Sequence, residues 1–166
     1  MKFQDLRFLW LPILFFFIQT LYTLFTGLPS TRVLMNVVTN TLMVGITEEL
    51  MFRSILFHGT SSSFWIWHAV WITYIIVDAG HVLNGFISGD FNAIIFQALC
   101  AFMFGFYMVA LRVRLDTIIP GIIIHWLWDC FALRSHFPED TMIWVLIYLA
   151  LFYYGLWLLR NYLPSR

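Results

Sequence analysis

The sequence predicts an all-α fold, a polytopic membrane bundle of about six transmembrane helices. Composition is the first reason, because 61% of the 166 residues are hydrophobic, 20% are aromatic and only 11% are charged. The mean hydropathy of +0.84 is too high for a soluble domain of this size. The second reason is that apolar runs long enough to cross about 30 Å of hydrocarbon recur along almost the whole chain. We therefore expect residues 1–166 to form a single integral membrane domain.

Each apolar run predicts a helix, because lipid offers the backbone no hydrogen-bond partner and the pattern lacks the period-2 alternation of barrel strands. The predicted spans are Phe8 to Phe25, Val33 to Phe57, Phe64 to Leu83, Phe91 to Leu111, Ile118 to Leu133 and Met142 to Leu159. Stretches rich in glycine and serine predict the connections, among them Gly59 to Ser63. Proline suits the first turn of a helix, so the fifth helix should begin near Pro120.

The distribution of basic residues predicts the orientation in the membrane. Six spans place both termini on one side, and that side is richer in Lys and Arg than the other. It holds Lys2, Arg7, Arg112, Arg114, Arg160 and Arg166, against Arg32 and Arg134 on the other side. The positive-inside rule therefore predicts that both termini are cytoplasmic. The net charge is zero and no long basic block is present, so we expect a lipid bilayer and no nucleic acid as partner.

Three of the predicted spans carry ionisable side chains, which are costly in a membrane and need a partner, a cavity or a function. These side chains are Glu48, Glu49 and Arg53 in the second span, Asp78 and His81 in the third, and His125 and Asp129 in the fifth. We therefore expect three helices to converge on one polar site.

The second span contains two neighbouring carboxylates, of which one can pair with a charge on the same helix and the other cannot. Glu49 and Arg53 are spaced i,i+4 and lie on one helix face, where they can pair. Glu48 points about 100° away and has no partner on its own helix, so we predict that it acts as a general base. Gly45, one turn earlier, would let a substrate backbone approach this carboxylate. The alternative is that all three charged groups form a buried ion-pair network with a purely structural role.

Both histidines lie close in sequence to an acid. His125 and Asp129 are spaced i,i+4, at which a carboxylate can accept a ring N–H, and Asp78 lies three residues before His81. Either pair alone is a weak signal, since a histidine in a helix is often a packing residue.

Together these motifs resemble the signature of the CPBP family (CAAX protease and bacteriocin-processing, or ABI). Members of this family are intramembrane glutamic endopeptidases. The pattern is Glu48-Glu49-x-x-x-Arg53, then His81, then His125-x-x-x-Asp129, and the likeness covers Gly45 to Asp129. It implies that Glu48 and His81 activate a water that attacks a peptide bond, while His125 and Asp129 stabilise the oxyanion. Glu49, Arg53 and Asp78 would support these groups. The resemblance also implies a hydrophobic, lipidated or membrane-anchored polypeptide substrate and a prokaryotic cytoplasmic membrane.

The chain departs from the family pattern at two positions. Val77 stands where the family usually has phenylalanine, and Asp129 stands where asparagine is common. An asparagine could donate directly to an oxyanion, but an ionised Asp129 cannot. We therefore expect Asp129 to support a protonated His125, whose imidazolium is then the donor.

Two other interpretations remain open at this point. Zinc could be bound by Glu48, His81, His125 and Asp129, although we favour a site without metal because no helix carries His-Glu-x-x-His. Alternatively, the chain is not an enzyme but an ion or proton carrier or a bacteriocin-immunity factor. A relay spreads polar groups across the membrane depth, whereas a protease clusters them around one water, and the three motifs favour clustering.

Overall fold

The computed structural model describes residues 7–88, 91–132 and 141–162. Its elements are α1 (Trp10–Thr26), α2 (Thr31–Glu48), a π-helical segment (Glu49–Leu56), α3 (Phe57–Ser63), α4 (Ile66–Ser88), α5 (Phe91–Leu115), α6 (Ile119–Ala132), α7 (Thr141–Leu159) and a 3-10 turn (Arg160–Tyr162). The π-helical segment joins α2 to α3 without a break, and we call this continuous helix the second rod. Counted in this way, the described residues form six helical rods and no strand. The prediction of an all-α helical bundle is confirmed.

Three rods are both long enough and apolar enough to cross a membrane. They contain Arg7–Thr26, Ile95–Leu115 and Met142–Tyr162, and the described residues add two shorter apolar helices, Ile66–Val77 and Ile119–Phe131. The second rod is not one of the three, and it carries three charged side chains within six residues near its middle. The charges that mark the polar site thus lower the hydropathy of the rod that bears them.

The prediction of a connection at Gly59 to Ser63 is wrong, because these residues form most of α3. The hydroxyl groups of this stretch donate to carbonyl oxygens one turn earlier: Thr60 to Leu56 at 2.9 Å, and Ser62 to Gly59 at 2.8 Å. These bonds let a serine-rich stretch remain helical. By contrast, α6 begins at Ile119 and has Pro120 in its first turn, as predicted.

Helix α5 is the centre of the bundle and packs between α4 and α7. Its residues Phe106, Tyr107 and Ala110 have no exposed surface. On α7, a Cβ added to Gly155 would lie only 3.1 Å from the Cα of Tyr107, so the two backbones approach closely. Small residues at helix contacts are typical of membrane bundles. Helix α6 packs mainly on α2 and touches α1. A cavity lies between the second rod, α4, α5, α6 and α7.

Gly45 serves helix packing and does not leave room for a substrate, so that prediction is wrong. A Cβ at this position would lie 3.2 Å from the backbone N of Trp126 and 3.4 Å from the carbonyl oxygen of Ile122. The space beside Gly45 is therefore filled by the backbone of α6. The indole of Trp126 adds a hydrogen bond to the carbonyl oxygen of Val38, at 2.9 Å, across the same contact.

Arginines gather at one end of the bundle. The guanidinium groups of Arg7 and Arg114 lie 5.0 and 5.7 Å from the centre of the Phe8 ring. Arg114 also donates to the carbonyl oxygen of Leu158, which brings the end of α7 and Arg160 to the same place. This grouping agrees with the predicted topology, whereas the cytoplasmic location of that end stays a prediction. The basic residues outside the described ranges are Lys2, Arg134 and Arg166.

The contact at Gly45 gives a first prediction. Gly45→Leu should destabilise the protein, because its side chain has to displace the backbone of α6, and overpacking typically costs about 1–3 kcal/mol. Gly59→Leu is the control, since an added Cβ there meets nothing within 4 Å. We expect the melting temperature of the purified protein in detergent to fall for Gly45→Leu and not for Gly59→Leu. Equal melting temperatures would contradict the close packing of α2 on α6.

Candidate active site

Five of the rods border a cavity of about 370 Å³. Both polar and apolar side chains line it. The lining residues are Glu48, Arg53, Val77, Gln97, Cys100, Ala101, Phe104, His125, Trp128, Asp129 and Tyr148. The motif residues of α2, the π-helical segment and α6 therefore meet in one place, as the sequence predicts.

The pairing of Glu49 with Arg53, predicted from the i,i+4 spacing, is confirmed. Nη1 of Arg53 lies 3.0 Å from Oε1 of Glu49, and the two side chains are only 3% and 1% exposed. The N–H groups of Nη1 are not aimed at an acceptor among the described residues, so the contact is an ion pair and not an aligned hydrogen bond. Both residues lie in the π-helical segment, a rare form of helix that is frequent at functional sites.

Two glycines on neighbouring helices make room for this ion pair. A Cβ at Gly121 of α6 would lie 2.8 Å from Oε2 of Glu49, and one at Gly105 of α5 would lie 3.1 Å from Nη2 of Arg53. The sequence gives no sign of either role. Pro120-Gly121 looks only like the start of a helix, and Gly105 is one glycine within an apolar run.

Glu49 also binds His125, a contact that the sequence does not predict. Oε1 of Glu49 lies 3.0 Å from Nδ1 of His125, and His125 is buried. A carboxylate at Nδ1 accepts the ring N–H there and so fixes the orientation of the imidazole, as in other sites where a buried acid positions a histidine. The same oxygen atom therefore contacts both Arg53 and His125 and ties the π-helical segment to α6.

The opposite nitrogen of the ring faces the cavity between two carboxylates. Nε2 of His125 lies 3.7 Å from Oε2 of Glu48 and 3.6 Å from Oδ2 of Asp129. The side chains of Glu48 and Asp129 are 28% and 30% exposed, in contrast to the enclosed Glu49. Both distances exceed a direct hydrogen bond. The two neighbouring glutamates thus lie in different surroundings, Glu49 inside the bundle and Glu48 at the cavity.

Helix α4 contributes the remaining motif residues, Asp78 and His81, whose side chains lie outside what the structure describes. Their backbone positions are in the middle of α4. Val77 lines the cavity, and position 81 follows it by four residues. Residues at i and i+4 share one face of a helix, so position 81 lies on the face of α4 that borders the cavity.

Among the side chains that the structure describes, no group of three or more His, Cys, Asp or Glu residues is arranged to hold a metal ion. His81 belongs to the hypothetical zinc set and is not among those side chains. The choice between a metal-free and a zinc-dependent reaction therefore stays a prediction.

Comparison with known proteins places these helices in a family. The model of a family described as type II CAAX prenyl endopeptidase, Rce1-like, matches residues 30–131. No curated protein and no solved structure matches the chain. The matched range runs from the start of α2 almost to the end of α6, so it contains every predicted site residue and leaves α1 and α7 outside.

The buried ion pair gives a second prediction. Glu49→Gln and Arg53→Ala should each destabilise the protein by about 3–5 kcal/mol, because the remaining charge stays buried without its partner. Asp116→Asn is the matched control: Asp116 also pairs i,i+4, with Arg112 at 2.8 Å, but its side chain is 95% exposed. Asparagine tolerates the positive φ of 52° at that position as aspartate does.

Chemical unfolding in detergent of both single variants and the double variant measures this coupling. We expect the effect of the double variant to be clearly smaller than the sum of the two single effects. Additive effects, or a loss of stability in Asp116→Asn as large as in Glu49→Gln, would count against the pair.

Proposed function

This chain belongs to the Rce1-like type II CAAX prenyl endopeptidase family, and we propose that it cleaves its substrate with a water activated by Glu48 and His81. Family membership identifies the chain as an intramembrane protease. The observation that carries the mechanism is the position of His125 Nε2, which faces the cavity between Glu48 at 3.7 Å and Asp129 at 3.6 Å. Clustering of this kind suits a reaction at one bond better than a relay across the membrane.

Glu48 is the general base in this mechanism. It borders the cavity and is partly exposed, whereas Glu49 is enclosed between Arg53 and His125 and cannot reach a substrate. Glu48 takes a proton from the water while the water oxygen attacks the scissile carbonyl carbon. The C–N bond of the resulting tetrahedral intermediate then breaks, and the proton passes from Glu48 to the leaving amine. His81, on the face of α4 that borders the cavity, orients the water.

His125 stabilises the oxyanion of this intermediate. Glu49 accepts the Nδ1–H, which leaves Nε2 directed into the cavity. As an imidazolium, His125 then donates its Nε2–H to the oxyanion. Asp129 lies beside Nε2 and supports the positive ring, the role expected from the sequence for a carboxylate in place of asparagine. The carboxylate of Glu49, 3.0 Å from Nδ1, is a second support for the positive ring in this proposal.

The substrate is a prenylated or otherwise membrane-anchored polypeptide. The family acts on such chains, and the apolar side chains that line the cavity, including Val77, Phe104 and Trp128, suit a hydrophobic segment next to the scissile bond. We further propose a prokaryotic cytoplasmic membrane as its location, with both termini on the cytoplasmic side.

The general base gives a third prediction. Glu48→Gln should abolish cleavage of a prenylated CAAX peptide by the protein reconstituted in liposomes, because the amide cannot accept the proton of the attacking water. Its melting temperature should stay close to that of the unmodified protein, since Glu48 borders a cavity. Asp116→Asn, which also replaces a carboxylate with an amide but lies away from the cavity, should cleave normally. Cleavage at the normal rate by Glu48→Gln would exclude the glutamate mechanism.

Metal dependence and residue 129 give a fourth prediction. If the only role of Asp129 is to support His125, the Asp129→Asn variant should retain measurable activity, because an amide can donate to the oxyanion directly. Exhaustive treatment with a chelator should then leave cleavage unchanged. A zinc-dependent enzyme would instead lose activity on chelation and regain it when zinc is added, and Asp129→Asn would weaken zinc binding and activity together. Assays of metal-stripped protein with and without added zinc separate the two mechanisms.

A further inference from the structure

Helix α7 lies outside the range that matches the family, yet it contributes Tyr148 to the wall of the cavity. No motif in the sequence singles out this residue, because tyrosine is common in a chain that is one-fifth aromatic. Its phenol is a polar group in a cavity that also contains Glu48, His125 and Asp129.

The Tyr148 hydroxyl accepts a hydrogen bond and keeps its own hydrogen for another group. Nε1 of Trp128 donates to this hydroxyl at 3.1 Å. An indole N–H can only donate, so the phenol oxygen is the acceptor and its O–H is left to act as a donor. Among the described residues, no acceptor receives this O–H. The hydroxyl can therefore donate to a molecule in the cavity.

Trp128 holds the hydroxyl in a fixed position. Its ring stacks on Phe15 at 4.5 Å and on Phe104 at 4.8 Å, and only 4% of its surface is exposed. It lies on α6 directly before Asp129 and three residues after His125. A donor fixed in this way needs little reorganisation when charge develops on a substrate oxygen, which is the condition for efficient stabilisation of an oxyanion.

The aspartate at position 129 makes a second donor necessary. Oxyanion sites in enzymes of this kind of chemistry usually combine at least two donors. His125 can supply one through Nε2, but an ionised Asp129 has no hydrogen to donate. A phenol that lines the same cavity can supply a donor without bringing a further charge into the membrane.

We propose that Tyr148 is a catalytic residue that donates a hydrogen bond to the oxyanion together with His125. This role rests on the proposed function, since it requires hydrolysis of a peptide bond through a tetrahedral intermediate. It also assigns to α7 a part in catalysis that the matched family range does not contain.

The test compares Tyr148→Phe with Tyr153→Phe, which removes the hydroxyl of a tyrosine on the same helix that is 65% exposed. Loss of one oxyanion donor should lower kcat by about 10²–10³-fold, with a much smaller effect on KM, because the bond strengthens only in the transition state. Tyr153→Phe should cleave the prenylated peptide at the normal rate. Normal kcat in Tyr148→Phe would overturn the proposal.

A rescue experiment separates catalysis from structure, since Tyr148→Phe also removes the acceptor for Trp128. Adding Asp129→Asn to Tyr148→Phe supplies an amide donor, and we expect kcat to recover at least 10-fold without any recovery of the melting temperature. A lower melting temperature together with no recovery of kcat would assign Tyr148 a structural role and overturn the proposal. Glu48→Gln is measured in parallel: activity in that variant refutes the proposed function itself, whereas an inactive Glu48→Gln beside a fully active Tyr148→Phe refutes only the role of Tyr148.

Discussion

One carboxylate oxygen of Glu49 connects the two halves of the site. It lies 3.0 Å from both Nη1 of Arg53 and Nδ1 of His125, so a single buried charge joins the second rod to α6. An ionised carboxylate inside a membrane bundle needs such partners, because no water can solvate it. The contact between the carboxylate of Glu49 and Nδ1 also sets the imidazole in place and directs Nε2 toward Glu48 and Asp129. The geometry of the reacting groups therefore follows from the burial of a group that does not react.

Small residues make this arrangement sterically possible. Gly45 lets α2 and α6 approach at backbone distance, Gly121 leaves space for the carboxylate of Glu49, and Gly105 leaves space for the guanidinium of Arg53. In a membrane, helices associate through close packing and polar contacts and gain little from the hydrophobic effect. Here the same contacts that hold the helices together also enclose the ion pair. Stability of the bundle and precision of the site thus have a common origin.

Pairings within one helix were more predictable from the sequence than the individual contacts between helices. The spacing of Glu49 and Arg53 predicts their ion pair, because i,i+4 neighbours share a helix face. Nothing in the sequence predicts that Glu49 also binds His125, since 76 residues separate them and helical periodicity relates only residues of one helix. The role of Gly45 is not predictable for the same reason: its missing side chain is evident in the sequence, but the helix that fills the space is not. The end of α3 is an exception within one helix: a serine-rich stretch usually indicates a turn, but here the hydroxyl groups bond back to the carbonyl oxygens of the helix.

The local character of the Glu49–Arg53 contact has a consequence for biosynthesis. The two charges are four residues apart, so they can neutralise each other as soon as the second rod forms. His125 is made much later, roughly 4–15 s after Glu49 at about 5–20 residues per second. During that interval the nascent rod can enter the bilayer with an internal ion pair in place of two isolated charges, which lowers the cost of insertion. The sequence separations therefore set an order of events. Insertion relies on the contact between residues four apart in one rod, and the catalytic arrangement forms only after α6 has been synthesised and packed against that rod.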